Sequence, residues 1–300
     1  MSISRACSLV RMSRSVYRYE SVKDDSEIEK KLTELAELLP TRGFDNYYQR
    51  IRNEGKGWNR KRVLRVYRNL GLSRRNKRKR RLPNRDPLHL SQPIYANEVW
   101  SMDFMNDSLE SGRKVRILNI MDDYNREALW IDPQYHYPGE KVVAALEVLA
   151  MDRGLPRYIR VDNGPEFICK AIAEYVADKP TEMMYIEPGK PMQNAFIERF
   201  NRLFREDVLD AYIFSDINQL RILSRKWQED YNKSHPHQSL KGLSPIQFKH
   251  LRDKGNISSE SVKAEMNDEP NYRLTQSSAL TDSPEMIDLV SKSLNEVLLT

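Results

Sequence analysis

Three apolar runs follow one another over residues 100–106, 115–121 and 128–132, and from residue 139 to 186 helical and strand-like periods alternate. The alternation is a helix over 139–152 through Val142, Val143, Leu146 and Leu149, a strand over 157–161, a helix over 166–177 and a strand over 183–186. A chain with this pattern is confined to an α/β class: a meander of three strands continued by helix–strand units gives a mixed sheet covered on both faces. A further helix, about 30 Å long, is expected over 191–210.

The N-terminal third carries a different signature. Residues 26–39 place Ile28, Leu32, Leu35 and Leu39 at helical spacing, and residues 45–52 predict a short helix closed by Gly55-Lys56-Gly57. Asn59 caps a third helix in which Val63, Val66, Tyr67 and Leu70 recur before Gly71 ends it. Helix, glycine-bearing turn and basic helix outline a helix-turn-helix over about residues 40–85, an outline that any αα-hairpin shares. Charge favours the first reading. Residues 1–98 hold 24 Lys and Arg against 11 Asp and Glu, and residues 60–85 hold 13 cations and no acid, whereas residues 99–250 hold 20 against 23. A basic excess confined to one third suits a region that tracks nucleic-acid phosphates. The candidate DNA contacts are Arg60, Lys61 and Arg65 on the third helix, and Arg74, Arg75, Lys77 and Arg78 in the run after it.

The expected organisation is an N-terminal helical DNA-binding region over 1–90, an α/β core over 91–250 and a flexible C-terminal tail over 251–300. Pro83, Pro87 and Pro93 mark the first boundary as a linker. The tail holds 5 cations against 9 acids, and within it only residues 286–299 are apolar enough for a terminal helix. No apolar run approaches the roughly 20 residues of a membrane span. Arg5, Arg11 and Arg14 break any signal-peptide pattern, and Cys7 and Cys169 form neither a disulfide framework nor a zinc set. A cytoplasmic protein with no membrane partner is expected.

Three carboxylates stand where such a core places chemistry. Asp103 follows Val99-Trp100-Ser101-Met102, Asp162 follows Tyr158-Ile159-Arg160-Val161, and Glu198 lies on the long helix with thirty-five residues between it and Asp162. Acids at the carboxyl ends of strands open into the crevice where α/β proteins bind ligands. Taken alone, Asp162-Asn163-Gly164-Pro165 is equally an ordinary strand-to-helix turn, and Glu198 could simply pair with Arg202 one turn on. Asp103, a lone charge in an apolar run, needs a partner or a cation. On the helix, Ile197, Phe200, Phe204 and Val208 form an apolar stripe, while Arg205 shares the Glu198 face about 10.5 Å along the axis. Three carboxylates within about 5 Å repel by roughly 3 kcal/mol per pair at an effective dielectric of 20. Mg²⁺ or Mn²⁺ removes that repulsion and matches an all-carboxylate set.

In this order and spacing the acids, with Arg205 seven residues after Glu198, resemble the DDE signature of bacterial insertion-sequence transposases. The resemblance is to the second-frame (OrfB) product of two-frame elements, whose core is similar to retroviral integrases. It runs from Ile3 to about Phe248 and includes Asn97-Glu98-Val99-Trp100-Ser101-Met102-Asp103-Phe104, Arg160-Val161-Asp162-Asn163-Gly164-Pro165-Glu166-Phe167 and Gln193-Asn194-Ala195-Phe196-Ile197-Glu198. His235-Pro236-His237 stands where the family usually has Arg-Pro-His. The resemblance implies a ribonuclease H-like core in which Asp103, Asp162 and Glu198 are the catalytic ligands of two divalent ions. It further implies strand cleavage and strand transfer at element ends, with Asn163, Gln193, Asn194 and Arg205 positioning the DNA. The implied partners are element-end and target DNA, a first-frame transposase protein or a fusion with it, and further copies of the chain on DNA. An inactive or regulatory DNA-binding copy and a hydrolytic nuclease of the same fold remain as alternatives.

Overall fold

The computed structural model describes residues 2–18, 24–73, 93–187 and 191–253. The basic run over 74–81 and the tail beyond 253 lie outside them. Five helices precede the sheet: α1 (Ile3–Leu9), α2 (Arg14–Tyr17), α3 (Ser26–Leu38), α4 (Phe44–Asn53) and α5 (Arg60–Asn69). The helical spacing of Ile28, Leu32 and Leu35 on α3 turns them onto Tyr47 and Ile51 of α4 and Val63, Val66 and Tyr67 of α5, and all are buried in one cluster. Asn59 accepts from the backbone N–H of Lys61 at 2.8 Å, and Gly55 and Gly71, at φ +84° and +69°, close α4 and α5 in the left-handed region that glycine favours. The helix–turn–helix outline is therefore present.

The sheet has the order β3-β2-β1-β4-β5. Its strands are β1 (Val99–Ser108), β2 (Lys114–Asp122), β3 (Ala128–Gln134), β4 (Tyr158–Val161) and β5 (Glu182–Tyr185). The first three form an antiparallel meander, and β4 and β5 join in parallel through α6 (Gly139–Arg153) and α7 (Lys170–Ala177). Strand alternation splits the core in two. Trp100, Met102, Leu118 and Ile120 face α6 and α7, meeting Val142, Leu146 and Ile172. Met105, Ile117, Met121 and Ile131 face the other way, onto α8 (Ala195–Phe204) and α9 (Ile217–Ser234) through Ile197, Phe200, Phe204, Leu220 and Trp227. The chain closes with α10 (Pro245–Asp253). This is the mixed, ribonuclease H-like sheet that the sequence led us to expect.

Two helices differ from expectation. The helix expected over 166–177 starts only at Lys170, because residues 164–168 form a turn in which Phe167 N and Ile168 N donate to Gly164 O. Phe167 is buried and stacks on Phe104 with ring centroids 5.1 Å apart, so the turn is pinned to β1 before a helix can begin. The continuous helix over 191–210 is three pieces: a 3₁₀ turn over Pro191–Asn194, then α8, then a π turn over Arg205–Leu209. The extra residue in the π turn lets Val208 and Leu209 both reach the core and sets the buried Asp207 against Trp227 at its edge. Asp207 accepts from Thr41, Arg42 and Trp227 Nε1, and Arg50 makes a two-pronged pair with Asp230 of α9, both bonds at 2.7 Å. These contacts seat the N-terminal helices on the sheet's α8–α9 side.

Candidate active site

The pairing of β1 with β2 extends over nearly the whole of β1, but its parallel pairing with β4 stops at Ser101 opposite Arg160. Asp103 and Asp162 each stand two residues beyond that last pair, at the fork where the strands part. Asp103 is thus mid-way along β1 and not at a strand end as expected, since β2 prolongs β1 after β4 has left it. Alternation points Asp103 to the same face as Met105, under α8, directly across from Asn119 of β2.

Asp162 follows the last residue of β4, and its Oδ1 accepts from Gly164 N at 3.0 Å. A Cβ on Gly164 would stand 2.8 Å from Glu166 Oε2 and 2.9 Å from Asp162 Oδ1, so a larger residue there would push the two carboxylates out of place. It brings a fourth carboxylate, Glu166, beside Asp162. Arg116 of β2 pairs with Glu166 and lies 4.2 Å over the Phe104 ring. Glu166 has a signal in the sequence, four residues after Asp162 in the same motif; Arg116 has none, because its place depends on the sheet.

Glu198 lies in the first turn of α8, exposed, and has no hydrogen bond or ion pair among the described residues. The Glu198–Arg202 pair that a plain polar helix face would make does not form. One turn on, Asn201 Nδ2 donates to Asp103 Oδ2 at 2.7 Å, and Asn201 Oδ1 accepts from Asn119 Nδ2 at 2.7 Å. The backbone N–H of Phe104 donates to Asp103 Oδ1 at 2.8 Å. Two buried asparagines therefore fix the Asp103 rotamer and set the height of α8 over the sheet. Arg205 fastens the far end of α8, donating from Nη2 to Asn106 O at 2.9 Å.

Burial, then the charges of Asp162 and Glu198, push the Asp103 carboxyl up to about 6, against the hydrogen bonds from Phe104 and Asn201. The other two acids thus lie within electrostatic reach of Asp103, although burial is the larger cause of its raised proton affinity. Among the described residues no three of His, Cys, Asp and Glu converge closely enough to share one ion, and the exposed Glu198 is the acid free to close that gap. A pH dependence follows. An unfolded aspartate titrates near 3.9, so a folded carboxyl at about 6 favours folding while protonated and loses that advantage as pH rises from about 4 through 6. Asp103→Asn, in EDTA, is expected to gain roughly 2–3 kcal/mol relative to the parent between about pH 4 and pH 7. Urea midpoints at the two pH values check this; a difference that does not change with pH would refute the raised proton affinity of Asp103.

The remaining candidates fall in two groups. Asn163 Nδ2 donates to Ile186 O at 2.8 Å and ties the ends of β4 and β5, while Gln193 exchanges two hydrogen bonds with Glu187, at 2.8 and 3.0 Å. Both brace loops beside the acids. Asn194 is buried, and its Oδ1 has no partner among the described residues. On α5, Arg60 lies over Phe44 and pairs with Asp45, Arg65 pairs with Asp25, and exposed Lys61 joins Leu64, Arg65, Arg68 and Asn69 along a shallow groove. Arg74, Arg75, Lys77 and Arg78 lie outside the described residues. No helix among the described residues is long and apolar enough to cross a membrane.

Comparison with known proteins bears on the fork and its acids together. Integrase core domain profiles match residues 95–191 and 180–245, a span that contains Asp103, Asp162 and Glu198. The 31.7 kDa protein of insertion element IS407 from Burkholderia multivorans is 38% identical over 251 residues, covering 83% of this chain and 90% of the relative. The chain belongs to the insertion-sequence transposases of the DDE superfamily. The 39.2 kDa protein of insertion element IS476 from Xanthomonas euvesicatoria is 34% identical over 250 residues, covering 83% of this transposase-family chain and 72% of the relative. Among solved structures, the integrase catalytic core domain of HTLV-2 in complex with magnesium is 17% identical with a TM-score of 0.43, over 52% of this chain and 97% of that one. At that score the overlap adds nothing to the fold assignment, which rests on the sheet order and the family match.

Proposed function

We propose that the chain cleaves DNA strands at the ends of an insertion element and joins the liberated 3′-hydroxyl to another phosphodiester, in a reaction dependent on Mg²⁺ or Mn²⁺. The observation that carries this is the fork between β1 and β4, where Asp103 and Asp162 part company with Glu198 above them and Asp103 already feels both charges. The donor set fits a hard divalent ion, since every candidate ligand is a carboxylate oxygen. Asp103, Asp162 and Glu198 would hold two such ions, which supply charge neutralisation at the scissile phosphate and a more acidic attacking hydroxyl.

The chain's own residues prepare the rest. Asn201 and the Phe104 N–H hold Asp103 in one orientation, and Gly164 N–H does the same for Asp162. Glu198, exposed and without a hydrogen bond or ion pair among the described residues, would swing to complete the set. Arg205, Asn163, Gln193 and Asn194 would position the strand, Arg205 by exchanging its 3.8 Å pairing with Asp210 for a phosphate while it stays bonded to Asn106 O. Lys61, Arg60 and Arg65 on α5, with Arg74, Arg75, Lys77 and Arg78 following, would hold the flanking duplex. The implied setting is a homo-oligomer on DNA in the bacterial cytoplasm, at the nucleoid, working with a first-frame protein or fused to it. The domain division at about residues 90 and 250 belongs to the same proposal.

Full-length protein incubated with Mn²⁺ and labelled element ends is expected to yield both nicked and joined products. Nicked product without joining would leave a hydrolytic nuclease. Binding without nicking would leave a regulatory DNA-binding copy. Separately, log affinity should fall with log salt by about 0.9 per phosphate contact, and a chain lacking residues 40–85 should show a shallower slope; an unchanged slope would overturn the role of α5.

A further inference from the structure

Across α8 from the acids lies a cavity of about 290 Å³. Counting round the helix at 100° per residue places Arg199, Leu203, Phe196 and Phe200 on one side and Glu198, Asn201 and Arg205 on the other. The cavity is lined by that first set, with Tyr231 of α9 beneath, Arg126 of the β2–β3 turn beside it, and His237 and Gln238 at its rim. Its floor is apolar, and its walls carry two cations.

Neither cation makes a direct ion pair among the described residues, although the Asp123 and Asp122 carboxylates act on Arg126 from a distance. Arg126 is buried and lies 3.4 Å over the Phe196 ring, and the hydrogen bond it makes is to the backbone carbonyl of Asp123. The Asp123 carboxylate is itself committed to Arg160 at 2.5 Å and to Ser101 at 2.7 Å. Arg199 is exposed, with no hydrogen bond or ion pair among the described residues. A third observation is independent of these: the Nε2 of His237, at the rim, is buried and has no hydrogen-bond partner among the described residues. Burial and the charges of Arg126, Arg199 and Arg42 hold that imidazole down to about 3, so it is neutral and surrounded by positive potential. A buried cation and an unbonded imidazole nitrogen are both costly unless an anion or acceptor meets them.

We propose that this cavity is a second DNA contact of the core, holding one backbone phosphodiester between the Arg126 and Arg199 guanidiniums, with His237 Nε2 donating to a phosphate oxygen. The inference rests on the DNA-processing function proposed above. A diester suits the site because it presents a compact anion flanked by sugar, which can lie on the apolar floor. The site stands roughly 10 Å, one helix diameter, from the acids, so a strand cut in the cleft and wrapped over the start of α8 would enter it. Because Arg199 immediately follows Glu198, seating a phosphate there would also fix the first turn of α8 on which the acid depends.

The test uses the full-length chain, a fluorescently labelled 30-base-pair duplex of arbitrary sequence, and a KCl series in EDTA. Arg199→Gln and Gln238→Glu both lie at the exposed mouth and should leave thermal stability unchanged. Each is expected to weaken duplex binding about tenfold at low salt. Arg199→Gln should also make the salt slope shallower by about 0.9. Steep salt dependence in the parent with both variants unchanged would overturn the cavity contact and leave the DNA-processing proposal standing. A parent with no salt-dependent duplex binding would sink both. Inorganic phosphate raising the parent's melting temperature, with loss of that rise in Arg199→Gln and no change in duplex affinity, would assign the cavity to a free anion and overturn the proposal.

Discussion

Asp162→Asn in the full-length chain is expected to lower end cleavage on the order of 10³-fold or more while DNA binding persists. Asparagine keeps the oxygen that accepts from Gly164 N, so the turn after β4 survives. What goes is the negative charge, and with it several kcal/mol of transition-state stabilisation by a bound cation. Glu198→Gln should behave alike and provides a cleaner control. Glu198 is exposed and makes no hydrogen bond or ion pair among the described residues, so the substitution should leave stability within about 0.5 kcal/mol of the parent. Single-turnover cleavage of labelled ends, with circular-dichroism melts alongside, measures both. A Glu198→Gln protein that cleaves at the parental rate would remove that acid from the site.

Asp207→Ala is expected to destabilise the protein by about 3–5 kcal/mol, the range for leaving one partner of a buried pair uncompensated. Asp207 is enclosed by Thr41, Arg42 and Trp227, and the Arg42 side chain is only 10% exposed. The alanine variant leaves that guanidinium only its 3.9 Å pairing with the half-exposed Glu206 and strands an indole N–H. Loosening should appear first between the N-terminal helices and the core, as faster proteolytic cleavage near residues 40–43. The double variant with Arg42→Ala should recover part of the loss, because the stranded charge has gone; urea unfolding of both singles and the double gives the coupling. Additive losses would mean that the pair contributes nothing beyond its separate side chains.

Much of the sheet can be read directly from the sequence because alternation is a local property. Ile117, Leu118, Ile120 and Met121 announce a strand buried on both faces, and Asp162-Asn163-Gly164 announces the turn after another. Asp103 is legible as an anomaly, a charge in an apolar run. Its bonding to Asn201, which Asn119 holds in turn, is not, because a polar residue declares its partner only when three elements meet. The π turn is equally hidden: it answers to Asp207 finding Arg42, 165 positions away in sequence. Phe167 misleads in the opposite sense, since its segment has helical character and contacts distant in sequence, the stacking on Phe104 and the bond from Tyr185 among them, hold it as a turn. No helix is read from the sequence over 217–234, although Asp216 accepts from Asn218 N and Gln219 N as an N-cap, and Leu220, Ser224, Trp227 and Tyr231 fall on one buried face.

The segment from Glu198 to Asp207 works as a ruler. One end carries an acid over the strand fork, and the other carries the carboxylate on which the N-terminal helices rest. Inserting or deleting a single residue between them would turn one end by about 100° against the other, so that only the acid or the seat could remain in place. Substitutions along this stretch can be absorbed by repacking, but changes in its length cannot. Relatives that keep both ends should therefore differ here in composition far more readily than in residue count.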